Sequence, residues 1–169
     1  AITMHQGRRV TSRSADSIVA EGERIAAQSN FKGYIHDVGG PTANFRLPSC
    51  KDQMTKGMCQ NGKKCLAPHA CSKLLVDHKE YLSILRRLRQ IPKVKKVFIR
   101  SGIRYDYLIR DPDDTFFKEL VQHHVSGQLK VAPEHCAPNT LAAMGKPPIE
   151  VYNKFSKKFY ELTKKVGKQ

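Results

Sequence analysis

The sequence lacks the long apolar stretch that marks a membrane protein. None of its 169 residues lies in a run that approaches the ~20 apolar residues needed to cross a bilayer. The first ten residues already include His5, Gln6, Arg8 and Arg9, which do not fit the apolar centre of a secretion signal. We therefore expect a cytoplasmic chain without a membrane partner.

Acidic residues are scarce relative to basic ones. The chain has 15 Asp and Glu against 30 Lys and Arg, which gives a formal net charge of +15. This excess favours an anionic partner, such as RNA, a phosphorylated ligand or an acidic part of the same protein. With 40% hydrophobic residues the chain is too apolar to be disordered, so residues 1–169 are expected to form one domain, or part of one.

Several common catalytic signatures are also missing. The sequence contains no G-x-S-x-G, no complete P-loop and no H-E-x-x-H. These motifs mark the α/β hydrolases, the P-loop nucleotide-binding enzymes and a large class of zinc proteases. We therefore give little weight to an ordinary α/β-hydrolase-like or cofactor-free enzyme.

The apolar residues predict helices that alternate with short strands. Helices are expected over residues 14–28, 77–90, 113–124, 139–144 and 149–166, and strands over residues 31–37, 94–101 and 129–132. Ser14 is expected to cap the first helix, and Asp77 with Glu80 to form a capping box at the second. The alternation indicates an α/β fold with three parallel strands and flanking helices.

Small or polar residues follow each predicted strand. Gly39 and Gly40 follow the first strand, Ser101 and Arg104 the second, and Glu134 the third. In parallel α/β folds the ligand lies at the carboxyl ends of the strands. A polar, zwitterionic ligand would need this combination of glycine, hydroxyl and charged groups.

Four of the five cysteines fall in one polar segment, residues 44–76, which we expect to be an insertion. They are Cys50, Cys59, Cys65 and Cys71, in the pattern C-x8-C-x5-C-x5-C. Three interpretations stay open: a zinc or iron–sulfur site that organises the insertion, two disulfide bonds, or four separate reduced thiols. His69 and His78 are spare ligand candidates, each expected to be a solvated loop residue.

Longer stretches of the chain resemble a known family. The segments SRSADSI, DVGGPTANF, SGIRYDYLIRDP, HHVSGQLKVAPEH and MGKP, together with the cysteine-rich segment, are similar to the YgiQ-type radical S-adenosylmethionine proteins, also called the UPF0313 family. The resemblance covers essentially the whole chain. It implies a partial (β/α)6 barrel of the TIM type, in which a [4Fe–4S] cluster and S-adenosylmethionine together yield a 5′-deoxyadenosyl radical.

The resemblance also implies that a part of the enzyme is missing. The family holds its cluster with C-x3-C-x2-C after the first barrel strand, and no such motif occurs in this sequence. We therefore expect a central fragment of a radical S-adenosylmethionine enzyme that is inactive alone, with its substrate unknown. Its exposed barrel edges are expected to promote self-association.

The resemblance assigns roles to the residues at the strand ends. Gly39 and Gly40 match the turn that contacts the methionyl amino group of S-adenosylmethionine. Ser101 and Arg104 are expected at its ribose or carboxylate, and Glu134 at its ribose. The cysteine block would hold an auxiliary iron–sulfur cluster or zinc. The alternative function is a basic, metal-organised module that binds nucleic acid without catalysis.

Overall fold

The computed structural model describes residues 9–57, 59 and 64–168. In this part of the chain, a π-helical turn, Leu120–His124, continues one of the α-helices. The elements are α1 (Ala15–Ala27), β1 (Tyr34–Ile35), α2 (Lys51–Lys56), α3 (Lys79–Gln90), β2 (Lys96–Val97), α4 (Tyr105–Leu108), α5 (Thr115–Glu119), α6 (Pro138–Met144) and α7 (Ile149–Lys165). None of the helices described combines the length and apolarity that crossing a bilayer requires. The architecture is mixed α/β with a small parallel sheet.

The sheet joins β1 to β2 in parallel. Tyr34 lies opposite Lys96 and Ile35 opposite Val97, and the Phe98 N–H donates to the Ile35 carbonyl at 2.9 Å. Each strand is much shorter than the sequence predicts, although the bond from Val38 N to the Phe98 carbonyl extends the pairing beyond them at 3.0 Å. The carboxyl ends of the two strands therefore point in the same direction and lie side by side.

The prediction of a third strand over residues 129–132 is wrong. The sheet of the described residues has two strands, and residues 129–132 are not part of it. The segment is tied to the preceding loop by the bond from Ile103 N to the Lys130 carbonyl, at 2.9 Å. Leu129 and Val131 still pack against the core, so its alternating pattern reflects side-chain burial rather than ladder formation.

The first turn of α1 agrees with the capping predicted from the sequence, whereas that of α3 does not. Ser14 caps α1 as predicted, because its hydroxyl accepts a bond from Ser17 N at 3.2 Å. The predicted capping box at α3 is wrong: α3 begins at Lys79, and Glu80 instead receives two bonds from the Arg46 guanidinium at 2.9 Å. A charge-assisted pair with an arginine is stronger than a bond to a neutral N–H, so Arg46 takes the carboxylate.

The core lies between the helices and the sheet. α1 packs on α3, α3 on β2, and α4 and the π-helical turn on α7. Its most deeply buried side chains include Ile84, Leu85, Val97 and Leu120. On the α7 side Phe117 stacks on Phe155 with 5.3 Å between ring centroids. This packing holds the strand ends in a fixed relative position.

Candidate functional site

The ends of β1 and β2 are joined by one carboxylate. Asp37 Oδ1 accepts bonds from Arg100 N at 2.9 Å and Ser101 N at 3.1 Å, and Asp37 Oδ2 accepts from the Ser101 hydroxyl. Burial disfavours the charged form of Asp37, but these hydrogen bonds outweigh it and lower the pKa of the carboxyl group. The sequence predicted Ser101 as a ligand contact, whereas the structure commits its hydroxyl to Asp37.

The two glycines after β1 have different surroundings. A Cβ on Gly39 would lie 2.7 Å from the Cβ and Oγ of Ser101 and 3.0 Å from the Cβ of Ala43. A Cβ on Gly40 would meet no atom within 4 Å. Gly39 therefore allows the two strand-end loops to touch, and Gly40 leaves the backbone open to a ligand.

An asparagine that the sequence analysis did not single out clamps the same two loops. Asn44 is buried; its Oδ1 accepts from Arg104 N at 2.8 Å and its Nδ2 donates to the Arg104 carbonyl at 3.2 Å. Its Nδ2 also lies 3.1 Å from His78 Nε2, while His78 Nδ1 lies 2.5 Å from Asp111 Oδ2. The sequence offered one indication that Asn44 matters, because Asn44 belongs to the DVGGPTANF stretch that carries the family resemblance.

His78 is not the solvated loop residue that was expected. Its side chain is 1% exposed and its ring stacks on Phe116, with centroids 4.5 Å apart. Burial lowers the pKa of His78, against the opposing influence of Asp111. The neutral ring can donate from Nδ1 to Asp111 and accept at Nε2 from Asn44, so the whole network is satisfied. His69, by contrast, is exposed as predicted.

A cleft of about 270 Å³ opens between the strand-end loops. It is lined by Pro41, Thr42, Gly102, Ile103, Arg104, Tyr105, Asp106, Ala132, Gly145, Lys146 and Pro147. The Arg104 guanidinium binds Asp106 through Nε, at 2.8 Å, and Nη2. Burial works against the charge on Arg104, but the hydrogen bond and the attraction of Asp106 raise the pKa of the guanidinium. Arg104 is therefore a fixed cation at the wall of the cleft.

Glu134 lies at the edge of this cleft. Its Oε1 is 3.5 Å from Lys146 Nζ, and Lys146 Nζ donates to the Ala132 carbonyl at 3.0 Å. The cleft is therefore lined by Pro41, which follows Gly40, by Arg104 and by Lys146, the partner of Glu134. Gly39 and Ser101 approach each other closely, and Gly39 lines a separate groove beside β1.

The cysteine-rich segment is organised around α2. Cys50 Sγ accepts from Gln53 N at 3.4 Å, and Cys65 Sγ accepts from Gln53 Nε2 at 3.2 Å. Cys59 and Cys71 both interact electrostatically with Lys73. Among residues 9–57, 59 and 64–168, no three His, Cys, Asp or Glu side chains form a group that could hold a metal ion. The donor chemistry suits iron or zinc, but the thiols are not arranged around one point.

The cysteine-rich segment also touches the cleft. The Lys64 ammonium lies where a Cβ on Gly145 would be, and Arg104 interacts electrostatically with Cys65. The insertion therefore lies next to Gly145 and Arg104, two residues that line the cleft.

The comparisons with known proteins point to one family. A "UPF0313 protein" of Clostridium perfringens strain SM101 is 62% identical over 169 residues, all of this chain and 25% of the relative. A "UPF0313 protein" of Clostridium botulinum strain Okra is 60% identical over 168 residues, 99% of this chain and 26% of the relative. The chain thus spans about a quarter of the length of these curated relatives. No protein-family model matches the chain, and no solved structure matches it significantly.

Proposed function

Since the chain belongs to the UPF0313 family, we propose that it is the central segment of a radical S-adenosylmethionine enzyme built on a partial (β/α)6 barrel. The observation that carries the proposal is the shared rim at the ends of β1 and β2. There Gly40 has open space where a side chain would lie, and its neighbour Pro41 lines the same cleft as Arg104. Such a rim is where parallel α/β folds place their ligands.

The residues present fit S-adenosylmethionine in part. Gly40 would let the methionyl end approach the backbone, and Arg104 keeps guanidinium N–H groups beyond those that bind Asp106. Glu134 would accept hydrogen bonds from the ribose at the rim. Gly39 and Ser101 would act indirectly, by holding the two loops together. With the cluster motif of the full-length protein, the cofactor would supply reductive cleavage to a 5′-deoxyadenosyl radical.

A matched pair of glycine substitutions tests this assignment in the full-length protein. Gly40→Ala should weaken S-adenosylmethionine binding by about tenfold, because a methyl group would occupy the approach to the backbone, while the melting temperature stays unchanged. Gly39→Ala should lower the melting temperature, because its Cβ would collide with Ser101 and Ala43. The measurements are equilibrium dialysis with labelled S-adenosylmethionine and thermal unfolding.

Two results would count against the assignment. If Gly40→Ala bound the cofactor as tightly as the parent protein, Gly40 would not be a contact. If the anaerobically reconstituted parent protein released no 5′-deoxyadenosine under reducing conditions, the radical chemistry itself would be wrong.

The cysteine block is proposed to bind an auxiliary iron–sulfur cluster or zinc in the same enzyme. Four thiols within 22 residues, from Cys50 to Cys71, are a suitable donor set. Binding would have to draw them together, in the way that metal binding is coupled to folding elsewhere. Metal analysis of anaerobic preparations should find about one site that is lost in Cys65→Ser and kept in Cys136→Ser, since Cys136 lies outside the block. Less than about a tenth of an equivalent of iron and zinc at this block would exclude the site.

Nucleic-acid binding is the second candidate function, favoured by one face of α7. Lys154, Lys157, Lys164 and Lys165 are exposed there and make no ion pair within the described part of the chain. Unpaired lysines along one helix are suited to phosphate contacts. A titration with single-stranded RNA should show affinity that falls steeply with salt, and a smaller salt dependence in Lys154→Gln/Lys157→Gln. Absence of binding at low salt would remove this candidate.

A further inference from the structure

The segment Met144-Gly145-Lys146-Pro147 belongs to the family resemblance but has no role in the proposed cofactor site. Gly145 ends α6 in the left-handed conformation, with φ of 67°, and Lys146 follows directly. The Lys146 side chain is 29% exposed and lines the cleft at the strand ends. The turn at Gly145 therefore directs an ammonium group to a semi-enclosed polar space.

Two cations line this space, Lys146 and Arg104. The Lys64 side chain packs against Gly145, one of the residues of the cleft wall. The opposing carboxylate, Asp106, is only 2% exposed and already receives two bonds from Arg104. Glu134 is 3.5 Å from Lys146 and lies at the solvent-exposed edge. The groups that face the opening are thus predominantly positive.

Lys146 retains hydrogen-bonding capacity for a ligand. Its ammonium has three N–H donors, of which one binds the Ala132 carbonyl at 3.0 Å and another has a long contact with Glu134. The bond to Ala132 fixes the position of the nitrogen and leaves a donor for an incoming oxygen. An anchored ammonium loses less entropy on binding than a free surface lysine does.

We propose that Lys146, beside Arg104 in the cleft wall, forms a subsite for an anionic oxygen group, a carboxylate or a phosphate, of a small substrate. The volume of about 270 Å³ accommodates such a group with a few attached atoms rather than a large ligand. Arg104, the proposed cofactor contact, lines the same cleft, so the anionic group would belong to a substrate that binds beside S-adenosylmethionine. The anion test itself needs no radical chemistry, so its failure and the failure of the proposed function are distinguishable.

The test uses the full-length protein with inorganic phosphate and malonate as separate probes in isothermal titration calorimetry. At least one probe should bind with an affinity that Lys146→Gln weakens by about tenfold or more, the usual effect of removing a charge-assisted hydrogen bond. Lys146→Arg should retain binding. Lys32→Gln, which removes the same charge from an exposed position before β1, should have less than about a twofold effect. The probe that binds more tightly identifies the substrate group as phosphate or carboxylate.

A second measurement needs no variant, and so covers the possibility that Lys146→Gln fails to fold. Acetylation of Lys146 by acetic anhydride, followed by mass spectrometry, should slow when the bound probe is present, while acetylation of the exposed Lys32 should not. Binding of neither probe, or equal effects of Lys146→Gln and Lys32→Gln, would overturn the subsite. Competitive displacement of the probe by S-adenosylmethionine would assign Lys146 to the cofactor and would also overturn it.

Discussion

Asn44 shows how one side chain can define the geometry of a site without facing the ligand. Its amide pairs with both the N–H and the carbonyl of Arg104, as a neighbouring strand would do. The same amide reaches His78, which Asp111 holds from the other side. The loop after β1 is thereby joined to the loop after β2 at the point where Arg104 enters the cleft.

Removing the Asn44 amide should therefore destabilise the folded protein. Asn44→Ala leaves the Arg104 N–H and carbonyl and His78 Nε2 without their partner in a buried site, which we expect to lower the free energy of unfolding by about 2–3 kcal/mol. Asn153→Ala, at an exposed position on α7, should change it by less than about 0.7 kcal/mol, in the stabilising direction. Urea unfolding compares the two, and equal values would contradict the clamp.

His124 makes stability depend on pH. Its Nδ1 lies 2.8 Å from the Val97 carbonyl, its Nε2 has no partner among the described residues, and burial lowers the pKa of the ring to about 4. Below pH 6.5 His124 binds a proton in the unfolded chain but stays neutral in the folded chain until the pH approaches 4. The contribution of the neutral His124 ring to the free energy of unfolding should therefore be complete above pH 6.5. It should fall by up to about 3 kcal/mol between pH 6.5 and about 4.

Two histidine variants separate this effect from general acid denaturation. His124→Gln should flatten the pH dependence of the urea midpoint in that window, although the protein is less stable overall. His36→Gln, at an exposed position, should leave the slope unchanged. The same slope in all three proteins would mean that His124 is not the titrating group.

At the scale of elements, the helices follow their sequence signals more closely than the strands do. α1 and α7 lie within one or two residues of their predicted bounds, because caps, prolines and apolar faces are encoded locally. The strands shrink to Tyr34–Ile35 and Lys96–Val97, because a residue is in a ladder only if a partner strand lies beside it. Burial alone does not make residues 129–132 a strand.

The cap of α1 is a local signal that can be tested directly. Ser14→Ala removes the bond to Ser17 N and should destabilise the protein by about 1 kcal/mol. Ser126→Ala, in an exposed loop, should have no measurable effect on the thermal unfolding midpoint. Identical midpoints for both variants would show that the cap contributes nothing.

At the scale of the whole molecule, the sheet is narrow and its flank is open. A groove of about 320 Å³ runs beside β1 and is lined partly by Ile18, Ile25, Ile35 and Val38. A sheet edge beside apolar side chains is a template for further association. In relatives four times as long, other parts of the chain are available to cover it.

The 169-residue chain by itself is therefore expected to self-associate. Light scattering should give a mass that rises with concentration, and Val38→Lys, which places a charge in the groove, should reduce the association. Gln122→Lys, which adds the same charge at an exposed position outside the groove, is the control and should have a smaller effect on the mass. A mass equal to that of the monomer at every concentration would show that the open side of the sheet does not promote association.

Local information was enough for α1, α3, α6 and α7, for the segment that carries the cysteines and for the glycines and charged residues at the ends of β1 and β2. Those features depend on the residue itself and its near neighbours. Local information missed the short helices α2 and α4, where the sequence predicts no helix. The roles of Asn44, His78 and Ser101 required the folded chain, because each is set by partners between 33 and 64 positions away. The same holds for the cleft, where Pro41, Arg104 and Lys146 meet from three separate segments. Which polar groups become internal supports and which stay open to a ligand is decided by such distant contacts, since only packing determines which hydrogen bonds are already made.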